Sequence, residues 1–459
     1  MANTNAAAAQ GVTPNTPPRP SVRGPHPDFL LTITVIGLVL FGIVMVFSAS
    51  YYSTINSKME DPYYYLIQAS KWAVLGIGAM ILLSHMPYRI FYKLAPVLMA
   101  GSIALLIAVL MPSVGMLENN ARRWIAVGSF TIMPGEIIKI TAIFFTAWYF
   151  TKYRAVATSF KPAYLLLTGL AVSCFVLIFK QPNLSTAIIV CGIMMILACI
   201  AGNPKKYLGM TLVIGGFGIY ALIQSDPSGE HFKRFTGYTD PFSDPQGAFY
   251  QNVQAQLAFG AGGVTGVGPG RSIQKALYLP YAQNDFIFAI IGEELGFIGC
   301  LAVLCAFLFL IWRCALVAVN APDRFGMLVA AGVTVWLSLQ VTMNIAVVTG
   351  ILPPTGVTLP FISYGGNAVL ITMAAMGVML NISRESAKNA VAYARKEAEA
   401  EAEAEREAVA AEANAAVERE RTGYGWGNAA VNAERRSDES DTGRWGDRRA
   451  SVSGARNRR

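Results

Sequence analysis

The chain has 459 residues, of which 54% are hydrophobic and only 14% are charged, and its formal net charge is +8. The mean hydropathy is +0.44. Soluble domains are about one quarter charged, so this composition excludes an ordinary soluble protein and indicates one that lies largely within a membrane. The six cysteines fall in apolar runs or at their ends and predict no disulfide framework.

The first 28 residues are rich in proline, alanine and asparagine, which predicts a disordered tail. Ten apolar segments follow, each about long enough to cross a bilayer as a helix. The predicted spans are approximately Phe29–Ser50, Gln68–Met86, Ile90–Met111, Pro134–Phe150, Ala163–Phe179, Leu184–Ala201, Tyr207–Gln224, Asp285–Val317, Phe325–Gly350 and Gly365–Ile382. The eighth is longer than one crossing requires, so we expect it to tilt or protrude. The predicted fold class is therefore an all-α polytopic membrane protein, with about ten transmembrane helices in residues 29–384.

Basic residues are concentrated in alternate short loops, which the positive-inside bias places in the cytoplasm. They are Arg89, Lys93, Lys152, Arg154, Lys161, Lys205, Lys206, Arg313 and Arg324. Both termini are then cytoplasmic, and the long loop of about residues 226–284, between spans seven and eight, faces outward. Residues 385–459 are predicted to form a cytoplasmic alanine- and glutamate-rich helix followed by a basic, disordered tail.

The segment Tyr278–Gly296 (YLPYAQNDFIFAIIGEELG) is the most informative part of the chain. It places Asp285 where a polar loop becomes an apolar span, and Glu293 and Glu294 lie inside that span. An ionisable side chain at membrane depth is costly, so it is first interpreted as part of a functional site. The alternative is a carboxylate that caps a helix or reaches water at the membrane boundary.

Glu136 and Lys139 are three residues apart at the start of the fourth predicted span, so they share a helix face and can neutralise each other. A purely structural ion pair and a functional one are both compatible with this spacing. The predicted topology brings Glu136 and Asp285 to the outer surface. A lysine between two carboxylates would keep one of them ionised.

Basic residues on the predicted outer side indicate a surface for an anionic ligand. Arg122 and Arg123 precede Trp124 in the second outward loop, and the long loop carries Arg234 and Lys275. Arginine forms bidentate contacts with phosphate, whereas the alternative interpretation is headgroup anchoring with the tryptophan in the interfacial belt. Residues 260–270 are glycine-rich, but they lack the lysine and the spacing of a phosphate-binding loop.

These segments resemble the SEDS family of polytopic peptidoglycan polymerases, which includes FtsW and RodA. The resemblance covers roughly residues 29–384. It is carried by Ala121–Lys139, Gln181–Ala187, Arg234–Lys275, Tyr278–Gly296 and Asn344–Gly366. Within these segments, Ser272–Pro280 (SIQK followed by YLP) is more similar to the FtsW branch than to the RodA branch.

The resemblance implies a glycosyltransferase that polymerises lipid II at the outer face of a bacterial cytoplasmic membrane during septal wall synthesis. It implies a class B penicillin-binding transpeptidase and other divisome proteins as partners, and no nucleic acid. By position, Asp285 matches the essential acid of the family and Trp124 its loop tryptophan. Glu136 and Lys139 match the acid and lysine of a motif of the form PSE-x-x-K.

The chain departs from the family pattern at a few positions. Gly135 stands where the family often has serine, and Asn183 where it often has aspartate. Tyr281 and Gln283 stand where an acid and a histidine are common. The missing histidine argues against a mechanism that needs an imidazole beside Asp285.

The implied reaction is attack by the 4-hydroxyl of one lipid II on the anomeric carbon of a lipid-linked glycan, with departure of polyprenyl pyrophosphate. Asp285 is the predicted general base. The predicted supporting residues are Trp124, Arg122, Arg123, Glu136, Lys139, Arg234, Lys275 and Glu293. No metal site is predicted and no cofactor is evident, although a divalent cation on the substrate pyrophosphate stays open. A lipid II flippase, a non-catalytic division scaffold and an elongation-type role are the alternatives.

Overall fold

The computed structural model describes residues 28–55, 61–118, 121–128, 130–153, 160–224, 249–276 and 278–437. Its helices in the first half are α1 (Phe29–Ile55), α2 (Tyr64–His85), α3 (Arg89–Ala108), α4 (Pro134–Lys152), α5 (Phe160–Phe179), α6 (Leu184–Ile200) and α7 (Lys205–Gln224). The second half contributes α8 (Tyr250–Gly262), α9 (Ile287–Val319), α10 (Arg324–Val348) and α11 (Gly366–Ser437). By its internal contacts the chain divides into two units, residues 1–389 and 390–459.

The helices have the length and composition expected of membrane spans. Within the described ranges, six helices are long and apolar enough to cross a membrane, namely α1, α2, α3, α9, α10 and α11. Shorter apolar helical stretches lie in α5, α6 and α7. The predicted class of a helical, polytopic membrane protein is thus confirmed, while the count of ten spans stays a prediction.

A small antiparallel sheet, which the sequence analysis did not predict, lies between α3 and α4. Its strands are β1 (Gly115–Glu118), β2 (Ala121–Val127) and β3 (Phe130–Ile132), in the order β1-β2-β3. Trp124 on β2 lies opposite Met116 on β1. The strands are too short to show a clear alternation of polar and apolar residues, and this explains why their sequence resembles an ordinary loop.

Close helix approaches in the core depend on small residues, as expected where lipid supplies no hydrophobic drive between helices. A Cβ atom placed on Gly42 of α1 would lie 2.5 Å from the carbonyl oxygen of Phe361. On α10, a Cβ at Gly332 would lie 2.6 Å from Cγ2 of Ile143 on α4. These contacts hold α1 and α4 against the second half of the membrane region.

The eighth predicted span differs from the structure at its start and in its middle. Helix α9 begins at Ile287, so Asp285 lies in the turn that precedes it. Gly296 interrupts the helix with φ 67° and ψ −167°. The extra length therefore includes a break in the helix, while the tilt or protrusion of this span stays a prediction.

The glycine-rich segment, residues 260–270, satisfies the backbone groups at this break. The amides of residues 297 and 298 donate to the carbonyls of residues 263 and 264, at 2.9 and 3.1 Å. In return, the amides of residues 267 and 268 donate to the carbonyls of residues 293 and 294, both at 3.0 Å. Irregular backbone at membrane depth is tolerated when protein groups pair it in this way. The glycines thus serve close packing.

The predicted outer loop is not irregular throughout, because residues 250–262 form α8. Residues 225–248 of that loop lie outside the described residues, as do residues 1–27 and 438–459, where disordered tails are predicted. The alanine- and glutamate-rich helix predicted within residues 385–459 is part of α11, and the side chains of residues 396–419 are exposed.

Candidate active site

Asp285 lies in the turn that leads into α9, and its side chain is half-buried. Its main-chain carbonyl accepts a hydrogen bond of 2.8 Å from Nδ2 of Asn344 on α10. A Cβ atom placed on Gly356 would lie 3.8 Å from Oδ2 of Asp285. The carboxylate therefore faces Gly356, which lies within residues 353–359, a stretch with neither helix nor strand that we call the crossing segment.

Side chains from two helices hold the crossing segment by its carbonyl groups. Asn344 Nδ2 donates to Val357 at 2.6 Å, and Gln340 Nε2 donates to Thr358 at 3.0 Å. Ser185 of α6 donates its hydroxyl to the carbonyl of Thr355 at 3.1 Å. Gln340 and Asn344 are one helical turn apart, so they reach neighbouring carbonyls from the same face of α10. These bonds fix the wall opposite Asp285.

The predicted ion pair on α4 is present and buried. Lys139 Nζ lies 2.7 Å from Oε2 of Glu136, and the two side chains are 2% and 8% exposed. Lys139 also donates to Oε1 of Gln340 at 3.0 Å and lies 5.2 Å from the ring centroid of Trp336. The second partner of Lys139 is thus the amide of Gln340, so the arrangement of one lysine between Glu136 and Asp285 is wrong.

Gln340 connects the ion pair to the surroundings of Asp285. Its Oε1 accepts from Lys139 and from Nε1 of Trp336 at 2.6 Å, while its Nε2 holds Thr358 of the crossing segment. The same segment is held next to Asp285 by Asn344. A series of hydrogen bonds therefore leads from Lys139 through Gln340 to the crossing segment, which faces the acid.

The two arginines on β2 bind main-chain carbonyls. Arg122 Nη1 donates to Gly115 at 2.6 Å, which braces β1 against β2. Arg123 Nε donates to the carbonyl of Gln181 at 3.0 Å, and its Nη2 donates to that of Pro182. Arg123 thereby fastens the sheet to the turn before α6. Trp124 follows on the same strand and is half-buried.

Lys275 forms a second buried ion pair, which the sequence analysis did not predict. Its Nζ lies 2.6 Å from Oε1 of Glu294, and the side chains are 2% and 1% exposed. Ser48 of α1 donates to the same carboxylate at 2.6 Å and accepts from Lys275 at 3.1 Å. The predicted role of Lys275 in binding an anionic ligand would require its ammonium group to leave this pair, so we assign Lys275 to positioning the loop.

Glu293 is fully buried and binds the start of the SIQK sequence. Its carboxylate accepts from the hydroxyl of Ser272, and Oε1 accepts from the amide of Ile273 at 2.8 Å. Ser272 in turn accepts from the amide of Lys275 at 3.2 Å. Adjacent glutamates on α9 thus anchor one short turn of the loop that leads to Asp285. Arg234, the remaining predicted site residue, lies outside the described residues.

Tyr364 contacts the Asp285 turn from the start of α11. Its amide donates to the carbonyl of Gln283 at 2.8 Å, and its ring packs edge-on against Tyr65 of α2, with centroids 4.8 Å apart. Burial raises the pKa of the Tyr364 hydroxyl to about 12. Tyr281 and Phe361, at φ 53° and 66°, adopt the left-handed region near this contact. Such backbone strain is concentrated at functional sites in proteins.

A family model described as "Cell cycle protein", for FtsW, RodA and SpoVE, matches residues 28–388. The chain belongs to the FtsW/RodA/SpoVE family, also called SEDS. Stage V sporulation protein E of Bacillus subtilis (strain 168) is 39% identical over 360 residues, which cover 78% of this chain and 98% of that protein. A probable peptidoglycan glycosyltransferase FtsW of Geobacter metallireducens is 35% identical over 361 residues, which cover 78% and 94%.

Solved structures share this SEDS fold. One is a chain described under "Structural coordination of polymerization and crosslinking by a peptidoglycan synthase complex", with 26% identity and a TM-score of 0.65. The matched region covers 78% of this chain and 98% of the chain in that complex. RodA of Thermus thermophilus follows with 25% identity, a TM-score of 0.58 and coverage of 78% and 97%.

The site contains no obvious metal-binding group among the residues that the structure describes. No three His, Cys, Asp or Glu side chains come together there. The buried acids are instead satisfied by lysine, hydroxyl and amide donors. The chemistry that this arrangement supports is proton transfer at a carboxylate, with the neighbouring charges fixed by packing.

Proposed function

We propose that this SEDS protein is a peptidoglycan glycosyltransferase that joins lipid II units into glycan strands at the outer face of the cytoplasmic membrane. The observation that carries the proposal is the position of Asp285, which lies at the entrance of α9 and faces the crossing segment. Membership of the family, with relatives named peptidoglycan glycosyltransferase, supports the same activity.

The proposed reaction is a single displacement at the anomeric carbon of the lipid-linked donor. The 4-hydroxyl oxygen of the acceptor forms the new C–O bond, and the bond from the anomeric carbon to the pyrophosphate oxygen breaks. The hydroxyl proton passes to Asp285, and the polyprenyl pyrophosphate leaves with the electron pair of the broken bond. Attack from the opposite face inverts the anomeric configuration. A carboxylate is a suitable base because the sugar hydroxyl is a poor nucleophile until its proton is removed.

The buried pair on α4 supports this base from a fixed position. Lys139 and Glu136 are nearly neutral as a pair, but their dipole is oriented by Gln340, which also holds Thr358 of the crossing segment. Charges fixed before the reaction need no reorganisation when negative charge develops. We therefore propose Glu136, Lys139, Gln340 and Asn344 as positioning residues rather than proton carriers.

The proposal extends to partners and location. We place both termini in the cytoplasm on the positive-inside bias, and the site on the outer side. A class B penicillin-binding transpeptidase is the proposed partner, supported by the fold similarity to a chain of a peptidoglycan synthase complex. Similarity to FtsW and SpoVE proteins favours work at the division septum with other divisome proteins over an elongation-type role.

The test is polymerisation of fluorescent lipid II by the full chain, co-purified with its transpeptidase in detergent. Asp285→Asn retains the size of the side chain and removes the base, so we expect no polymer. Asp323→Asn is the matched control, because Asp323 caps the opposite end of α10, where its Oδ1 accepts from the amide of Gly326. Asparagine is also a good cap. Polymer from Asp285→Asn at the control rate would refute the assignment.

The same assay separates a polymerase from the two alternative functions. A flippase makes no polymer in detergent, where there is no bilayer to cross. A scaffold makes none in any medium, yet still recruits its partners. Repeating the wild-type reaction with EDTA determines whether a divalent cation accompanies the substrate pyrophosphate, since the proposal includes no resident cofactor.

A further inference from the structure

Tyr281 combines an exposed aromatic ring with an unfavourable backbone conformation. The residue is 55% exposed, and its φ is 53°. Glycine adopts this left-handed region freely, whereas a residue with a large side chain does so at a cost in free energy. Phe361 has a similar φ but is buried, so packing can offset the cost there. The exposed ring of Tyr281 has less packing of this kind, which indicates a contact with a molecule outside the chain.

The turn that carries Tyr281 is held in place on both sides of this residue. Before it, Gln251 of α8 donates its Nε2 to the carbonyl of Pro280 at 3.3 Å. After it, the amide of Tyr364 donates to the carbonyl of Gln283 at 2.8 Å. The main chain is therefore fixed directly before the tyrosine and two residues beyond it. A ring on such a backbone loses little conformational entropy when a ligand binds.

The same turn brings Tyr281 close to the proposed base. The amide of Asn284 donates to the carbonyl of Tyr281 at 2.9 Å, which closes a four-residue turn. The Cα atoms of the first and last residues of such a turn lie within about 7 Å of each other. Asp285 follows directly, so the tyrosine and the acid are separated by a distance comparable with the length of a disaccharide. A ligand that contacts both residues is therefore an extended molecule.

The chemistry of this surface favours a sugar over an anion. A pyranose ring has faces made of C–H groups, which pack on the flat face of an aromatic side chain while the hydroxyls at the ring edge stay in water. Tyrosine suits this contact because its ring is apolar and its hydroxyl can remain hydrated. Tyr278 of the same loop is also exposed, at 53%. Residues 278–285 include no basic residue that would attract a pyrophosphate.

We infer that Tyr281 stacks on a sugar ring of the growing glycan strand and retains the strand beside Asp285 between successive additions. The inference rests on the proposed function, since that reaction lengthens such a strand. The strand is the reactant that extends beyond the two sugars being joined, so a contact at the distance of a disaccharide acts on it. Tyr281 therefore determines the length of the product, and the proton transfer does not involve it.

The first test measures binding of chitotetraose, a soluble β-1,4-linked oligomer of N-acetylglucosamine, to the full-length protein in detergent. Tyr281→Ala should weaken binding by about five- to tenfold, the order expected for one aromatic stacking contact. Tyr281→Phe should stay within about twofold of the wild type, because it retains the face of the ring. The matched control is Tyr153→Ala, which removes an exposed tyrosine at the end of α4 opposite Glu136. Its affinity should equal that of the wild type.

A further variant, Tyr281→Asn, separates the role of the ring from the stability of the fold. Asparagine tolerates the left-handed region, so this variant should melt at the wild-type temperature or above it. It should nevertheless bind chitotetraose as weakly as Tyr281→Ala. Wild-type affinity in either variant would overturn the inference, and would leave Tyr281 as an interfacial aromatic side chain that contacts lipid.

The second test measures strand length in the lipid II polymerisation assay. Tyr281→Ala should shorten the strands by about threefold or more, because a weaker contact raises the rate at which the strand dissociates. The initial rate of lipid II consumption should stay close to that of the wild type. A lower rate with unchanged strand length would overturn the inference.

The outcome is separable from that of the proposed function. If the wild type makes no glycan but its binding of chitotetraose depends on Tyr281, the polymerase proposal fails and the sugar site stands. If the wild type makes glycan and Tyr281→Ala binds chitotetraose as tightly, only the role of Tyr281 fails.

Discussion

Asn344 donates its side-chain amide to the main-chain carbonyl of Asp285 at 2.8 Å and to that of Val357 at 2.6 Å. One side chain on α10 therefore fixes both the turn that carries the acid and the crossing segment opposite it. Reaction rates depend steeply on such placement, because small displacements of a catalytic group cost large factors in rate.

Replacing Asn344 by leucine should reduce kcat by about 10- to 100-fold, since two buried carbonyl groups lose their donor and the turn can shift. The KM for lipid II should change little, because Asn344 binds no part of the substrate in the proposed mechanism. Steady-state polymerisation kinetics measure both constants. Thr349→Val is the control on the same helix, as its hydroxyl bonds only to its own turn. Equal losses in both variants would contradict the positioning role.

A double-mutant cycle should measure the coupling between Glu136 and Lys139, the buried ion pair on α4. Lys139→Met leaves Glu136 charged and buried, so it should destabilise the protein by about 3–5 kcal/mol. The double variant with Glu136→Gln should lose less than Lys139→Met alone. Unfolding in detergent followed by intrinsic fluorescence provides the measurement.

Lys388→Met gives the matched control for this cycle, because the ion pair between Lys388 and Glu385 is exposed to solvent. An exposed pair contributes at most about 1 kcal/mol, so its loss should hardly be detectable. If the double variant at residues 136 and 139 proved no more stable than Lys139→Met, the charges would not be coupled.

Two alanine substitutions on α8 should have opposite effects. A Cβ atom at Gly262 would lie 2.0 Å from the carbonyl oxygen of Gly292, so Gly262→Ala forces α8 and α9 apart and should destabilise the protein. Gly260, in the same helix, has no atom within 4 Å of such a Cβ. Gly260→Ala should be neutral or stabilising by up to about 1 kcal/mol, on helix propensity. The melting temperatures of the two variants test this prediction. Equal values would contradict the close approach of α8 to α9 at Gly262.

Glu293 should control local opening of the turn at residues 272–275. Glu293→Ala removes the acceptor of the Ser272 hydroxyl and of the Ile273 amide, so exchange of that amide with deuterium should accelerate by about 10- to 100-fold. Ser272→Ala removes the hydroxyl bond to Glu293 and the acceptor of the Lys275 amide but keeps the bond from the Ile273 amide to Glu293, so exchange of the Ile273 amide should accelerate less. Hydrogen exchange read by mass spectrometry compares the two. Identical exchange in wild type and Glu293→Ala would show that the carboxylate does not hold the turn.

The parts of the site that depend on local spacing could be predicted from the sequence. Glu136 and Lys139 pair because residues three apart on a helix face each other, whatever the rest of the chain does. The helical, membrane-spanning class likewise follows from runs of apolar residues. The pair of Lys275 with Glu294 could not be predicted, because it depends on where a loop returns to a helix and on a third partner, Ser48, from α1.

For other features, the sequence contains no pattern that distinguishes the observed role from the alternatives. Arg122 and Arg123 have the same donors for a phosphate as for a carbonyl. The sequence does not reveal that the carbonyl of Gly115 lies within reach of Arg122, or the turn before α6 within reach of Arg123. Gly296 looks like any glycine tolerated in an apolar run until its backbone angles are known.

The reciprocal backbone hydrogen bonds between the glycine-rich segment and α9 have a consequence for biosynthesis. The amides of residues 267 and 268 find their acceptors on residues 293 and 294, which leave the ribosome later. Until residues 293 and 294 have been translated and have entered the bilayer, the amides of residues 267 and 268 must remain hydrated. Folding of residues 260–270 is therefore delayed until the break at Gly296 has formed, so the two halves of the protein cannot be completed strictly in the order in which they are made.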